Sequence, residues 1–312
     1  MTSVEGRPKS LSLTRTELSN LEQLLHLEDT HPTSRNELGF TTWEFAHLSL
    51  PYRDPGPSTW IRTNQAATLA VQPALLAGPH GTTELVIPSG KIPRAALLWL
   101  ITEAKRTGER TLVLGDTIED FLVLLGFSRG GSTDRRLIRQ LRALLGCTMQ
   151  ISRYTERGGG VAEAADAGFR VADESVILFT TKTVPGQPSL MPSTVRLSEY
   201  LYLAATERGI PIDLGAWAWL NKNSKSPMAL DLYVFLSSRL FRLKTSLYLS
   251  WGVLEQQLGA SFNRRRDFKA QVLENMRLVA DVYPQANVVA SADGKGLWLR
   301  PSPPAVRPRD IS

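Results

Sequence analysis

Two short basic runs are the side chains whose type and spacing point most directly to chemistry. Arg264-Arg265-Arg266 is followed by Lys269, and Arg135-Arg136 by Arg139 and Arg142. A guanidinium is planar and always charged, and its fork can donate two parallel hydrogen bonds to guanine O6 and N7. On a helix, Arg135, Arg139 and Arg142 line one face, while Leu137, Leu141, Leu144 and Leu145 line another. In the second run Phe268, Val272, Met276 and Val279 form the apolar stripe, and the cations cluster at the helix start. A solvated helix face is the ordinary fate of charged runs. Positive charge at a helix start mildly opposes the helix dipole, however, so three consecutive Arg there favour contact with a polyanion.

Other reactive patterns fail their own requirements. Gly90-Lys91 is followed by Ile92, not Ser or Thr, and lacks the upstream Gly of a phosphate-binding loop. No G-x-S-x-G nucleophile elbow occurs. His26, His31, His47 and His80 form no H-x-H pair and have no Cys pair beside them, so neither zinc nor any other cofactor is expected. Tyr200 or Tyr202 could be the nucleophile of a rolling-circle nickase, but that chemistry needs a metal held by paired histidines. The chain is therefore read as non-enzymatic. The single cysteine, Cys147, permits no intramolecular disulfide, fits a reducing compartment and is expected as a small buried hydrophobe.

The elements that must position the basic runs follow from periodicity. A chain of 312 residues, 42% of them hydrophobic, favours two domains. The net charge of +6 suits a polyanion only modestly, so the placement of Arg carries the argument. No apolar run is long enough to span a membrane, and the N-terminus has no signal-peptide h-region.

A weak internal repeat supplies the architecture. Lys91-Ile92-Pro93-Arg94-Ala95 and Lys225-Ser226-Pro227-Met228-Ala229 share the pattern K-x-P-x-A. Each opens an apolar helical run, Pro suiting the first turn and Ser226 being a candidate N-cap. Leu97, Leu100, Ile101 and Ala104 share one face before Gly108 stops the first helix; Leu232, Phe235, Leu236 and Leu240 repeat the pattern. Alternating strands follow, at Leu112 and Leu114 and at Leu247 and Leu249.

Short helices come next, about 118–125 and 253–258, each ending in Leu-Gly. Each Arg-rich helix then leads to a hairpin. In the first, Met149, Ile151 and Tyr154 precede Gly158-Gly159-Gly160, with Val171, Ile177 and Phe179 beyond. In the second, Val288 and Ala290 precede Asp293-Gly294, with Leu297 and Leu299 beyond. Helix, strand, helix, helix, hairpin is the order of a winged helix, so the expected fold is α+β with tandem winged-helix domains. The second helix of a helix-turn-helix enters the major groove with its early residues at base edges. Wing residues Arg153, Arg157 and Lys295 would reach phosphate or the minor groove. Trp217, Trp219, Trp251 and Trp298 lie in apolar patterns and are expected in the core.

Several blocks between about 48 and 304 carry a family resemblance. They include Leu50-Pro51-Tyr52-Arg53-Asp54-Pro55-Gly56, Ile61-Arg62-Thr63-Asn64, Pro93-Arg94 with Thr102-Glu103-Ala104, and Gln140-Leu141-Arg142. Ser226-Pro227-Met228-Ala229-Leu230-Asp231-Leu232-Tyr233, Arg266-Asp267-Phe268-Lys269 and Leu299-Arg300-Pro301-Ser302-Pro303-Pro304 are the strongest. With these blocks the chain resembles the plasmid-encoded RepA replication-protein family. The resemblance implies an initiator of plasmid replication in the bacterial cytoplasm. Such a protein binds repeated sequences in double-stranded origin DNA and works with host replication-initiation and helicase-loading machinery, and by analogy it forms a homodimer. A winged-helix transcriptional autorepressor using the same helices is the rival reading.

The expected organisation is a flexible N-terminal arm, 1–43, with a short helix around Leu18, Leu21, Leu24 and Leu25. A first winged-helix domain follows at 44–182, with extra strands near Leu69, Val71 and Leu85–Ile87. A linker at 183–192 holds three Pro and one Gly; a second winged-helix domain spans 193–304, and 305–312 form a disordered tail.

Overall fold

The computed structural model describes residues 37–64, 67–115, 125–127, 131–158, 161–177, 193–258 and 262–306. The helix expected around Leu18–Leu25, the linker at 183–192, most of the short helix at 118–125 and the end of the tail lie outside the described residues.

Helices and antiparallel strands are mixed, as expected of an α+β chain. The central helix α2 (Lys91–Thr107) follows α1 (Trp43–His47). Gly90 precedes α2 at φ 82°, Pro93 occupies its first turn, and Gly108 ends it in the left-handed region at φ 73°. Ile92, Ala95, Ala96, Leu97, Leu98, Leu100, Ile101 and Ala104 are all buried, because α2 packs chiefly on three neighbours. These are β1 (Leu38–Thr41), α3 (Gly131–Gly146) and α4 (Glu199–Arg208).

In the first half, β2 (Trp60–Thr63), β3 (Thr68–Gln72), β7 (Thr148–Gly158) and β8 (Val161–Arg170) form one sheet in that order. β4 (Ala74–Ala77) and β5 (Thr83–Val86) make a separate hairpin against α3. A third sheet has the order β6-β10-β9, from β6 (Thr111–Gly115), β9 (Ala172–Val176) and β10 (Ser193–Leu197). Along β6, Leu112 and Leu114 face the core while Val113 is exposed, the alternation of a one-sided strand.

In the second half, β11 (Ile210–Asp213) and α5 (Leu214–Asn223) precede α6 (Met228–Arg239) and a 3-10 turn at Leu240–Arg242. Then come β12 (Leu247–Ser250), α7 (Trp251–Leu258), α8 (Arg265–Val282), β13 (Val288–Ala290) and β14 (Gly296–Leu299). These last strands have the order β12-β14-β13. Ser226 Oγ accepts from Met228 N at 3.2 Å, so it serves the start of α6 from two residues upstream.

The two halves differ in how the strand before the Arg helix finds a partner. β12 pairs with hairpin strand β14, Leu249 opposite Leu297. β6 instead pairs with β10, because hairpin β7–β8 is taken up by β3. Leu69 and Val71 lie opposite Ile151 and Met149, and all four are buried, so β3 occupies the edge of β7 and extends its apolar face.

Strand pairing also joins the halves. Leu38–Thr41, at the end of the expected arm, form β1, which pairs with β11 from Leu38↔Asp213 to Thr41↔Ile210. Ser193–Leu197, at the start of the expected second domain, pair with β6 and β9. Backbone groups left by each half are thus satisfied by the other. One continuous cluster of buried apolar side chains spans both. Cys147 is buried within it, and burial pushes its thiol up to about 12. Among the described residues no helix is long and apolar enough to cross a membrane.

Candidate nucleic-acid interface

The second basic run lies where its helix begins. Arg264 is the extended residue before α8, at φ −134° and ψ 128°. Phe268, Val272 and Val279 bury one face of α8, while Met276 is only partly buried because Asn275 occupies the adjoining core position. Arg264, Arg265 and Arg266 are exposed on the other side. Arg265 Nε donates to Glu255 Oε2 at 3.1 Å, and Arg266 Nε to its neighbour Asp267 at 3.3 Å. Their side chains keep 69% and 77% exposure, so both contacts are in high dielectric and worth little.

Lys269, one turn further on, is held differently. Its ammonium donates to Gly294 O at 3.1 Å and lies 5.4 Å from the Trp251 ring centroid. Trp251 Nε1 donates to the same Gly294 carbonyl at 2.8 Å, and Trp251 N to Lys295 O at 3.1 Å. Gly294 itself has φ 66°, a conformation glycine adopts without strain. Asp293 Oδ1 accepts from Ser291 Oγ and from Lys295 N, and these bonds, the serine's first, hold its carboxyl below the ordinary value. The hairpin tip is therefore fixed to both α7 and α8, with the Lys295 side chain exposed.

Elements from the first half steady α7 from behind. Arg62, only 2% exposed, donates from Nη1 to Gln257 O at 2.9 Å, in the last turn of α7. Ser49 Oγ donates to the same carbonyl at 3.4 Å. A cation on the terminal carbonyls of a helix is favourable, and burial lowers the pKa of Arg62 from its ordinary value.

The first basic run is arranged otherwise. α3 begins at Gly131, so Arg135 and Arg136 sit in its second turn rather than at its start; both are exposed. Arg139 forms ion pairs with Glu84 at 2.6 Å and Asp54 at 3.1 Å. The Glu84 hydrogen bonds, then Asp54, raise the Arg139 pKa, and Arg139 lowers that of Glu84. Arg142 donates to Ala77 O at 2.7 Å. The β4–β5 side therefore engages both side chains.

The first hairpin holds Arg153 and Arg157. Arg153 lies 4.4 Å from the Trp43 ring centroid and 3.9 Å from Glu44, and Arg157 pairs with Glu163 across the hairpin. Trp217, Trp219 and Trp251 are buried as expected. Trp298 is not: 38% exposed on the outer face of β14, it packs beside Tyr248 at 5.2 Å. Strand alternation explains the difference, since Leu297 and Leu299 take the inner positions.

Both candidate tyrosine nucleophiles are hydrogen-bond donors. Tyr200 OH donates to Glu44 Oε1 at 2.9 Å, and burial, then Glu44, pushes its pKa up to about 12. Tyr202 OH donates to Gly108 O at 2.7 Å. Among the described residues no group of three or more His, Cys, Asp or Glu side chains is placed to hold a metal ion.

Sequence reasoning left several buried polar groups out of the site. Arg94 makes paired bonds to Asp231 and also donates to Leu50 O, Pro51 O and Gly90 O. Lys91 Nζ donates to Asn221 O and Ser224 O at the end of α5. The visible signal was a charge at the start of each apolar helix, Arg94 beside Ala95-Ala96-Leu97-Leu98 and Asp231 between Leu230 and Leu232.

The family model of the plasmid encoded RepA protein matches residues 87–252, more than half of the chain. Among solved structures the chain is similar to domains 2 and 3 of RctB, crystallised as selenomethionine derivatives. The TM-score is 0.51 at 14% identity, over 82% of this chain and 97% of that one. A second crystal structure of RctB domains 2-3 aligns at TM-score 0.47 and 14% identity, over 81% of this chain and 92% of its own. At this identity the likeness concerns fold alone. No curated protein matches in sequence. The match across α2, β6, α3 and the elements through to β12 carries the assignment: this chain belongs to the plasmid-encoded RepA protein family.

Proposed function

We propose that this protein initiates plasmid replication by binding repeated sequences in double-stranded origin DNA through two winged-helix units, without catalysing a reaction itself. The observation that carries this reading is the exposed Arg264–Arg266 segment at the start of α8, held in fixed relation to a hairpin by Lys269 and Trp251. A helix entering the major groove reads bases with its first residues. The order α6, β12, α7, α8, β13, β14 and the strand order β12-β14-β13 fit a winged helix.

Arg264, Arg265 and Arg266 are assigned to the groove and Lys295 to the flanking phosphates. In the first unit Arg135 and Arg136 are the outward candidates, with Arg157 on its wing, while Arg139 and Arg142 position α3 against β4–β5. Linking two such units raises the effective concentration of the second once the first is bound. Host initiation and helicase-loading machinery would then act on the complex, and a homodimer is the expected free form. The raised pKa of Tyr200 and the engaged hydroxyl of Tyr202 speak against a nickase, since an attacking phenolate must first lose its proton.

Footprinting on DNA flanking the protein's own gene tests this reading. Protection of several direct repeats beside an A·T-rich stretch is expected. Protection of a single inverted repeat over a promoter would make the protein a regulator, and magnesium-dependent nicking of supercoiled origin DNA would make it an enzyme.

A further inference from the structure

A cleft of about 690 Å3 opens between elements of the two halves. Arg153 comes from β7, Arg208 from the end of α4 and Arg242 from the 3-10 turn after α6; Thr42, Trp43 and Glu44 supply the other wall. Three arginines and one carboxylate thus line the cleft, and that carboxylate is already occupied. Glu44 is 5% exposed, accepts from Tyr200 OH at 2.9 Å and lies 3.9 Å from Arg153. Arg208 and Arg242 are exposed and have no ion-pair partner among the described residues. Thr42 is 1% exposed, and its hydroxyl has no hydrogen-bond partner.

Like charges lining one concave surface add to a positive potential there, which a bound anion would relieve. The aromatic wall narrows the choice of anion. Trp43 is stacked on His47 at 4.9 Å and 18°, and the Arg153 guanidinium lies over its ring at 4.4 Å. Its ring is already engaged, so it offers no platform for a nucleobase. What remains is charge and donors without base readout, which is the chemistry of phosphate recognition.

We propose that Arg153, Arg208 and Arg242 form a phosphate-binding cleft that takes a backbone phosphate of the bound DNA, independently of sequence. The phosphate chemistry follows from the cleft alone, whereas DNA as its source rests on the function proposed above. The contact would fix the two halves on one duplex rather than select a sequence.

The test compares the full chain with Arg208→Ala/Arg242→Ala, and with Arg208→Lys/Arg242→Lys as the charge-preserving control. Thermal melts with added inorganic phosphate read the site directly, because general salt effects are common to all three proteins. Salt titration of duplex binding reads its source, each lost phosphate contact lowering the log–log slope by about 0.9. The expected result is a smaller phosphate-induced rise in Tm and a slope lower by about 0.9, one phosphate contact, in the alanine variant. The footprint should stay unchanged, and the lysine variant should recover most of both effects. Loss of the phosphate response with an unchanged DNA slope would overturn DNA as the source and leave a site for a free phosphate compound. Equal phosphate response in wild type and alanine variant would overturn the cleft. Failure of the wild type to bind DNA, with the phosphate response still lost in the variant, would overturn the initiator reading while upholding the phosphate site.

Discussion

Arg94 and Asp231 form a doubly hydrogen-bonded ion pair, Nε to Oδ1 at 2.7 Å and Nη2 to Oδ2 at 2.8 Å, across 137 residues of sequence. Each stands in the first turn of its helix, so the pair docks the start of α2 onto the start of α6. Lys91 adds a second tie from α2 to the end of α5.

Removing one partner should be costly. The pair's side chains are 8% and 9% exposed, so Asp231→Ala leaves a buried guanidinium without its counter-charge. A loss of about 3–5 kcal/mol is expected in urea unfolding. The double variant Arg94→Met/Asp231→Leu, which removes both charges, should lose less than Asp231→Ala alone. A double variant as unstable as the single would show that the pair's other hydrogen bonds, not its charge balance, dominate.

The two basic runs should respond differently to alanine. Arg265→Ala/Arg266→Ala should weaken binding to the specific site by at least about tenfold, because each bidentate base contact discriminates by about 1–3 kcal/mol. Its unfolding should be nearly unchanged, since both side chains are exposed. Arg139→Ala should show the reverse: a stability loss of no more than about 1 kcal/mol, as for other partly exposed pairs, and an unchanged salt slope. Anisotropy titrations at several salt concentrations, paired with urea melts, separate the two.

Space at two glycines differs sharply. A Cβ at Gly296 would lie 2.3 Å from the Leu249 carbonyl oxygen, in the β12–β14 pairing, whereas one at Gly168 meets nothing within 4 Å. Gly296→Ala should therefore lower the Tm clearly and loosen the hairpin that Lys269 and Trp251 hold. Gly168→Ala should be neutral or slightly stabilising. Equal melting of the two variants would contradict this account of the β12–β14 pairing.

His47 should make the fold acid-sensitive. Burial lowers its pKa most, Arg239 and Arg242 lower it further, and the hydrogen bond to Trp43 O opposes them. The unfolded ring titrates near its ordinary 6.5, while the folded ring stays neutral to lower pH. Its contribution is therefore complete above 6.5 and declines as pH falls below it, because the unfolded state then binds more protons. Urea unfolding of His47→Gln should show a flatter dependence between about pH 7 and 5 than wild type.

Much of the secondary structure was legible because local chemistry punctuates it. Pro93 and Gly108 bracket α2, and period-two alternation marks β6 and β12. The partner of β6 was not legible: an edge strand can accept any complementary strand, and nothing in Leu112 or Leu114 names Val195. Arg139 illustrates the same limit at the site. Its spacing from Arg135 and Arg142 matched a groove-facing row, but its partners Glu84 and Asp54 lie 55 and 85 residues away in sequence. Trp298 was misplaced because an aromatic on a strand looks like core until its neighbours show which face is inside.

The pairing of β1 with β11 bears on how the protein is made. A ribosome delivers Leu38–Thr41 long before Ile210–Asp213, and β6 likewise emerges well ahead of β10. Until those later strands arrive, β1, β6 and β9 of the nascent first half lack their strand partners, and each is a template for sticking to another chain. The second half therefore completes the sheets of the first, and a chain that stops short of β10 is expected to leave the ribosome with those strand edges open to aggregation.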